Sequence, residues 1–348
     1  MASNIALSVI IPYLKANQET IHQSLNSLFA QSLKNIEFIF VDDGCTDESR
    51  AIIEQYALQD ERISILYNEK NSGPGFSRNE GINHAQGEYL AFFDLDDIVD
   101  ENFYEKLYEK AALTHADIIK GSIVYVDEKL KYPKTNSKIQ NKIQKYGLRA
   151  GLLLSFYYEH FTAIYKRDFI IKNSIHYGST YRAQDMTFLF QVTFYANSIE
   201  FVNDVYYRYI ITAGSLSNTK NSTYYIHNIL AVLEQINFFH SKHTELAPEL
   251  YNELLFKRFR HALQYFQKSD SPEIQELNEK IFNLFYETIM KINFSDSLKR
   301  HIIFKLPAYT YFFQNNYKKF YKQLFSSTPL NACLIKLGIV LHLDNFKQ

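Results

Sequence analysis

The sequence predicts an α/β fold: a mostly parallel central sheet flanked by helices, then a mainly α-helical C-terminal region. Three observations carry this. Short β-branched runs alternate with helical patterns through residues 7–93. Two of those runs end in carboxylates, Asp42-Asp43 and Asp94-Leu95-Asp96-Asp97, where the strands of such sheets present ligands. Beyond Thr219, long helical patterns with Tyr, Phe and Leu stripes replace the alternation. The expected division is therefore 1–219 and 220–348. With 348 residues and 46% hydrophobic content, the chain can bury one large core or a core plus an extension.

Taken in order, Leu7 to Ile11 reads as a strand stopped by Pro12, and Thr20 to Ala30 as a helix with Ile21, Leu25, Leu28 and Phe29 on one face. Ile36 to Val41 is a second strand. Asp47 reads as the N-cap of a helix over Glu48 to Leu58. Ile63 to Tyr67 is a third strand. Asn71-Ser72-Gly73-Pro74-Gly75 is a loop before a helix over Phe76 to Ala85, and Leu90 to Phe93 is the next strand. Single helices between strands imply right-handed parallel crossovers. The Lys-rich stretch from Glu128 to Gly147 is expected to be a mobile excursion or a solvated surface loop. Asp185 to Tyr195 reads as an apolar helix and Ile199 to Tyr209 as a strand.

Composition excludes several classes. A net charge of −1 and a balanced 37 basic against 38 acidic residues argue against nucleic acid. Two cysteines, Cys45 and Cys333, form no metal-ligand spacing and fit a reducing compartment. No basic-then-apolar leader and no apolar run of about 18 residues is present, so a cytoplasmic protein is expected. Between Asp296 and Asp344 there is no acidic residue, while Lys299, Arg300, Lys305, Lys318, Lys319, Lys322 and Lys336 interleave with aromatics. That pattern suits an anionic membrane surface, which would make the protein peripheral on the inner face of the cell membrane. The bland alternative is aromatics in a helix core with lysines on its wet face.

The carboxylate cluster after Leu90 carries the chemistry. Three carboxylates at the end of an apolar strand repel, and their desolvation is costly unless a cation sits among them. Mg²⁺ or Mn²⁺ prefers such oxygen ligands.

Four segments then coincide in order: Leu7-Ser8-Val9-Ile10-Ile11-Pro12-Tyr13, Phe40-Val41-Asp42-Asp43-Gly44, Asn71 through Gly81, and Gly87 through Asp97. Together they resemble the family 2 inverting glycosyltransferases of the GT-A (Rossmann-like) fold, bacterial surface-polysaccharide type. Arg182-Ala183-Gln184-Asp185 resembles that family's catalytic-base segment, with Gln184 where Glu is usual, and Tyr207-Arg208 through Ser217 its end-of-domain pattern.

The resemblance implies a nucleotide-diphosphate sugar as donor, a UDP-sugar in the first instance, and a glycan or lipid-linked glycan as acceptor, such as capsule or lipopolysaccharide. It implies Asp43 as reader of the nucleotide base, with Pro12 and Tyr13 bordering it. Asp94, Asp96 and Asp97 would divide the metal and ribose contacts, their order left open. Arg78 would hold the diphosphate or one of these carboxylates. Arg208, Ser215 and Ser217 would approach the diphosphate, and Asp185 would be the general base. Plainer readings stay open beside these: Asp43-Gly44 as a turn, Asp185 as an N-cap.

The competing functions are two. A sugar-phosphate nucleotidyltransferase would need a Gly-rich basic loop that Leu7 to Ala16 lacks. A catalytically degenerate nucleotide-sugar binder or assembly partner, self-associated or not, is opposed by the complete carboxylate set.

Overall fold

The computed structural model describes residues 5–16, 20–126, 131–134, 136–155, 159–211, 221–267, 271–292, 294–306 and 308–325. Two compact units emerge, Met1–Asn218 and Thr219–Gln348.

The first unit runs β1 (Leu7–Tyr13), α1 (Ile21–Phe29), β2 (Ile36–Asp42), α2 (Ser49–Ala57), β3 (Ile63–Tyr67), α3 (Pro74–His84), β4 (Tyr89–Phe92), β5 (Ile98–Val99) and α4 (Phe103–Thr114). It continues through β6 (Ile118–Val126), β7 (Lys131–Lys134), α5 (Ser137–Tyr146), α6 (Leu148–Ser155), β8 (Ala163–Lys166), α7 (Arg167–Lys172), α8 (Gln184–Tyr195) and β9 (Ile199–Ile210). Among the described residues these strands form one sheet in the order β3-β2-β1-β4-β8-β6-β9-β5, with β7 beside β6. The expected parallel core is β3-β2-β1-β4. β1, β2 and β4 are buried on both faces, so they read as continuous apolar runs rather than alternations. One face packs Leu7, Val9, Ile11 and Phe40 with Leu25 and Leu28 of α1. The other packs Ile10, Ile39, Leu90 and Phe92 with Ile82 of α3 and Phe188 of α8. This places the carboxyl ends of β1, β2 and β4 side by side.

Two expectations need correction. β1 runs through Pro12 to Tyr13 in register with Val41 and Asp42, because one missing N–H near a strand end removes a single ladder bond. The Lys-rich stretch is not an irregular excursion where it is described: it contains β7 and α5. Ile139 and Ile143, four residues apart, give α5 an apolar face, and α6 approaches it through Gly151, whose absent Cβ would lie 2.5 Å from the Ile143 Cα. The many lysines conceal this two-residue apolar signal. Residues 127–130 and 135 of that stretch lie outside the described residues.

The second unit is helical: α9 (Ser222–Ser241), α10 (Pro248–Ala262), α11 (Pro272–Met290), α12 (Asp296–Lys305), α13 (Tyr309–Phe313) and α14 (Tyr317–Phe325). Asn221 caps α9 by accepting from the Tyr224 N–H at 3.0 Å, and proline opens both α10 and α11, where no N–H is needed. Phe259, Phe285, Tyr309, Phe312 and Phe320 are buried together, and the Tyr309 hydroxyl donates to the Phe259 carbonyl at 2.7 Å. Among the described residues no helix is long and apolar enough to cross a membrane.

Candidate active site

The turn after β2 separates its two carboxylates by role. Asp42 is fully buried and accepts from the Tyr13 hydroxyl at 3.0 Å, the Cys45 N–H at 2.6 Å and the Arg50 Nε at 2.6 Å. Burial, reinforced by Asp42, pushes the Tyr13 hydroxyl above its ordinary range, so it stays protonated and donating. Gly44 adopts φ +82°, and a Cβ there would lie 2.9 Å from the Asn71 backbone nitrogen. Asp43 then reaches across to the loop before α3. It accepts from Asn68 Nδ2 at 3.0 Å and from the Ser72 and Gly73 N–H groups at 2.9 and 2.8 Å. Pro12 and Tyr13 stand at the end of the neighbouring strand.

The cluster after β4 also divides. Asp97 is buried and turned toward β9. Its carboxylate accepts from the Tyr207 hydroxyl at 2.8 Å and the Ile210 N–H at 2.9 Å. The same Tyr207 oxygen accepts from the Asp94 N–H at 3.2 Å, so one hydroxyl fixes both ends of the turn. Burial, then the neighbouring Asp96 and Asp94, hold the Asp97 carboxyl well above the usual carboxylate range. Asp94, partly exposed, accepts from Arg78 Nη2 at 2.5 Å. Among the described residues no ion pair neutralises Asp96, and burial together with the Asp94 charge pushes its carboxyl up to about 6.

The three carboxylates thus do not converge. No group of three or more His, Cys, Asp or Glu among the described residues is arranged to hold a metal. What remains fits a cation held by one or two carboxylates and mainly by substrate phosphates: Asp96, desolvated beside Asp94, has no ion-pair partner among the described residues.

Asp185 lies in the first turn of α8, at the positive end of its dipole. The helix approaches α3 only because Gly75 lacks a side chain: a Cβ would meet Gln184 Cγ at 2.7 Å and the Gly178 carbonyl at 2.8 Å. At Gly73, φ is +91°, and a Cβ would sit 3.0 Å from the Tyr181 ring. The Gly-Pro-Gly loop is therefore a close-packing device between segments far apart in sequence, not a phosphate cradle. Burial raises the Asp185 carboxyl to about 6, Arg78 opposing and Asp94 adding to the rise. Burial works against the Arg78 charge, but Asp94 more than restores it, so its guanidinium stays protonated. Arg78, Asp94 and Asp185 therefore form one electrostatic group.

Arg208, opposite Ile98 on β5, binds Asp100 through Nε and Nη2 at 2.7 and 2.6 Å. Ser215 and Ser217 lie outside the described residues. Sequence reasoning missed Asn68, Asp100, Tyr177 and the role of Tyr207. Asn68 carried a legible signal, a polar residue immediately after the β3 strand; the others did not.

Comparison with known proteins gives a consistent picture. The family model "Glycosyl transferase family 2" matches residues 8–173. The chain is 26% identical over 307 residues to glycosyltransferase GlyG of Streptococcus pneumoniae serotype 4, covering 81% of this chain and 96% of that one. It is 30% identical over 225 residues to the cholesterol galactosyltransferase of Borreliella burgdorferi, covering 61% of this chain and 62% of that one. Residues 1–349 of S. aureus TarS in complex with UDP-GlcNAc superpose with a TM-score of 0.70 at 20% identity, over 94% of this chain and 91% of that one. The fold is GT-A.

The raised Asp96 carboxyl makes a stability prediction. Its folded value, about 6, exceeds the ordinary 3.8, so its stabilising contribution is complete below 3.8 and lost as pH rises through 6. In chelator and without nucleotide, Asp96→Asn should raise Tm at pH 8, and the gain should shrink toward pH 4. Equal Tm differences at both pH values, by differential scanning fluorimetry, would remove the desolvated carboxylate from the account.

Proposed function

We propose, from the match of residues 8–173 to the glycosyl transferase family 2 model, that this chain is an inverting glycosyltransferase that moves a hexosyl or N-acetylhexosaminyl group from a UDP-sugar to a hydroxyl of a surface glycan, capsule or lipopolysaccharide. The observation that carries the reading is the grouping of Asp185, Arg78 and Asp94 at the carboxyl end of the sheet. The UDP donor is supported by the UDP and UDP-GlcNAc named with TarS.

In this reading Asp43 accepts from the base's imide N–H, in competition with its bonds to Ser72 and Gly73. Asp96, with Asp94 beside it, would hold Mn²⁺ or Mg²⁺ together with the donor's phosphates. When bound, the cation neutralises the charge that grows on the leaving diphosphate. Asp185 takes the acceptor hydroxyl's proton as that oxygen bonds to the anomeric carbon from the face opposite the diphosphate. The breaking C–O bond leaves its electron pair on the phosphate oxygen, and the configuration inverts. No covalent enzyme intermediate is needed, so Cys45, buried against Asp47, has no catalytic part.

A carboxyl near 6 suits a base working close to neutrality. Asp185→Asn should lower transfer about 10²- to 10⁴-fold while UDP affinity by calorimetry changes little. The wild-type kcat/KM should fall as pH drops through about 6, because the base is then protonated. Normal transfer by Asp185→Asn would place the base elsewhere.

The proposed acceptor is assembled at a membrane, and α14 supports contact with its anionic face. Lys318, Lys319 and Lys322 are exposed there, with no acidic residue nearby in sequence. Tyr309, Phe312 and Phe320 are buried in the helical core, so lysines rather than these rings would make the contact. Lys318→Glu/Lys319→Glu/Lys322→Glu should lose co-sedimentation with anionic vesicles at low salt. Unchanged binding would remove this surface from the proposal.

A further inference from the structure

Arg78 is a buried cation with an unusual set of partners. It is 4% exposed, and only Nη2 has a hydrogen bond, to Asp94; Nε and Nη1 have none. A guanidinium buried in this state is costly unless something else compensates it. The Tyr177 ring does so, with the Arg78 Cζ 5.3 Å from its centroid, within cation–π range.

Tyr177 is in turn held on every side. Its ring stacks on Phe188 at 4.4 Å and 7°, and meets the edge of Phe92 at 5.0 Å. Asn79, next in sequence to Arg78, clamps the Tyr177 backbone by donating to its carbonyl at 3.2 Å and accepting from its N–H at 2.8 Å. The Tyr177 hydroxyl is 3.0 Å from His160 Nδ1, and the His160 carbonyl accepts from Tyr165 at 2.8 Å. His160 itself is buried and kept neutral by that burial and by the charges of Arg78 and Lys120, so it adds no second cation beside Arg78.

We propose that Tyr177 and His160 are positioning residues for sugar transfer: the Tyr177 ring, anchored through its hydroxyl to His160, holds the Arg78 guanidinium where one cation serves both Asp94 on the donor side and Asp185 on the acceptor side. Nothing in the sequence pattern around Tyr177 or His160 marks either as part of the site. Arg78, touched by the Tyr177 ring and bonded to Asp94, carries their effect. The functional half of this rests on the glycosyltransferase reading above; the holding of Arg78 does not.

The test uses the full chain labelled with ¹⁵N-arginine. The Arg78 Nε–Hε resonance, assigned by its absence in Arg78→Lys, should be ring-current shifted in the wild type. It should move toward the position of exposed arginines in Tyr177→Leu and His160→Phe, with Tyr177→Phe, which keeps the ring, in between. In the same variants kcat/KM for hydrolysis across a panel of UDP-sugars should fall about tenfold or more, as expected of a misplaced charge, with Tyr177→Phe partly rescued. Thermal melts identify the variants that have folded; if Tyr177→Leu has not, Tyr177→Phe and His160→Phe decide. An unmoved resonance in folded variants overturns the proposal, as does a moved resonance with unchanged hydrolysis and UDP affinity. A wild-type chain that neither binds UDP nor hydrolyses any UDP-sugar refutes the functional reading instead, and the resonance still decides whether Tyr177 and His160 hold Arg78.

Discussion

The ion pair between buried Arg78 and partly exposed Asp94, 2.5 Å long, is the constraint on which the site depends. A charge pair removed from water loses much of its solvation, and its mutual attraction does not fully offset that loss. Such a pair is therefore weak evidence for stability and better evidence for a task. It joins α3 to the end of β4 and sets the potential felt by Asp96 and Asp185. Gly73 and Gly75, by letting α3 meet the start of α8, bring Asp185 into the same field. A side chain at Gly75 would push the start of α8, and Asp185 with it, away from α3.

Five carboxylates end β2 and β4 or follow them, and the fold treats them in two ways. Asp42, Asp43 and Asp97 are buried and satisfied by hydroxyl, amide and, for Asp42, guanidinium donors. Each ties its strand end to a neighbouring segment. Asp94 and Asp96 remain partly open, and Asp96 stays above its ordinary range although the Arg78 charge opposes the rise. A fold keeps a desolvated carboxylate of this kind where a ligand supplies the missing charge. The buried carboxylates help place the open ones: Tyr207 bonds Asp97 and the Asp94 backbone at once.

Much of this was legible in the sequence. Continuous apolar runs between single helices gave the parallel core, because strands buried on both faces must read that way. The carboxylates were legible as a group, since no apolar strand needs such a cluster. Their division of labour was not. Whether an Asp points at a ligand or at a backbone amide depends on β9, which arrives more than a hundred residues later at Tyr207 and Ile210. The partner of Arg208 was hidden for the same reason, Asp100 lying across the β5–β9 pairing. The glycines of the Gly-Pro-Gly loop were visible as a loop, but their packing partners, Tyr181 and Gln184, were not. In the second unit, helical stripes were clear, and the burial of Tyr309, Phe312 and Phe320 shows which residues they serve.

The central claim is that Arg78 and Asp94 act as one unit in holding the donor. A double-mutant cycle of Arg78→Gln, Asp94→Asn and the pair, read as the UDP dissociation constant with Mn²⁺ present, tests it most directly. The account predicts a coupling energy of about 1 kcal/mol or more, the double variant binding no worse than the weaker single one. Effects that add to within about 0.5 kcal/mol would contradict it.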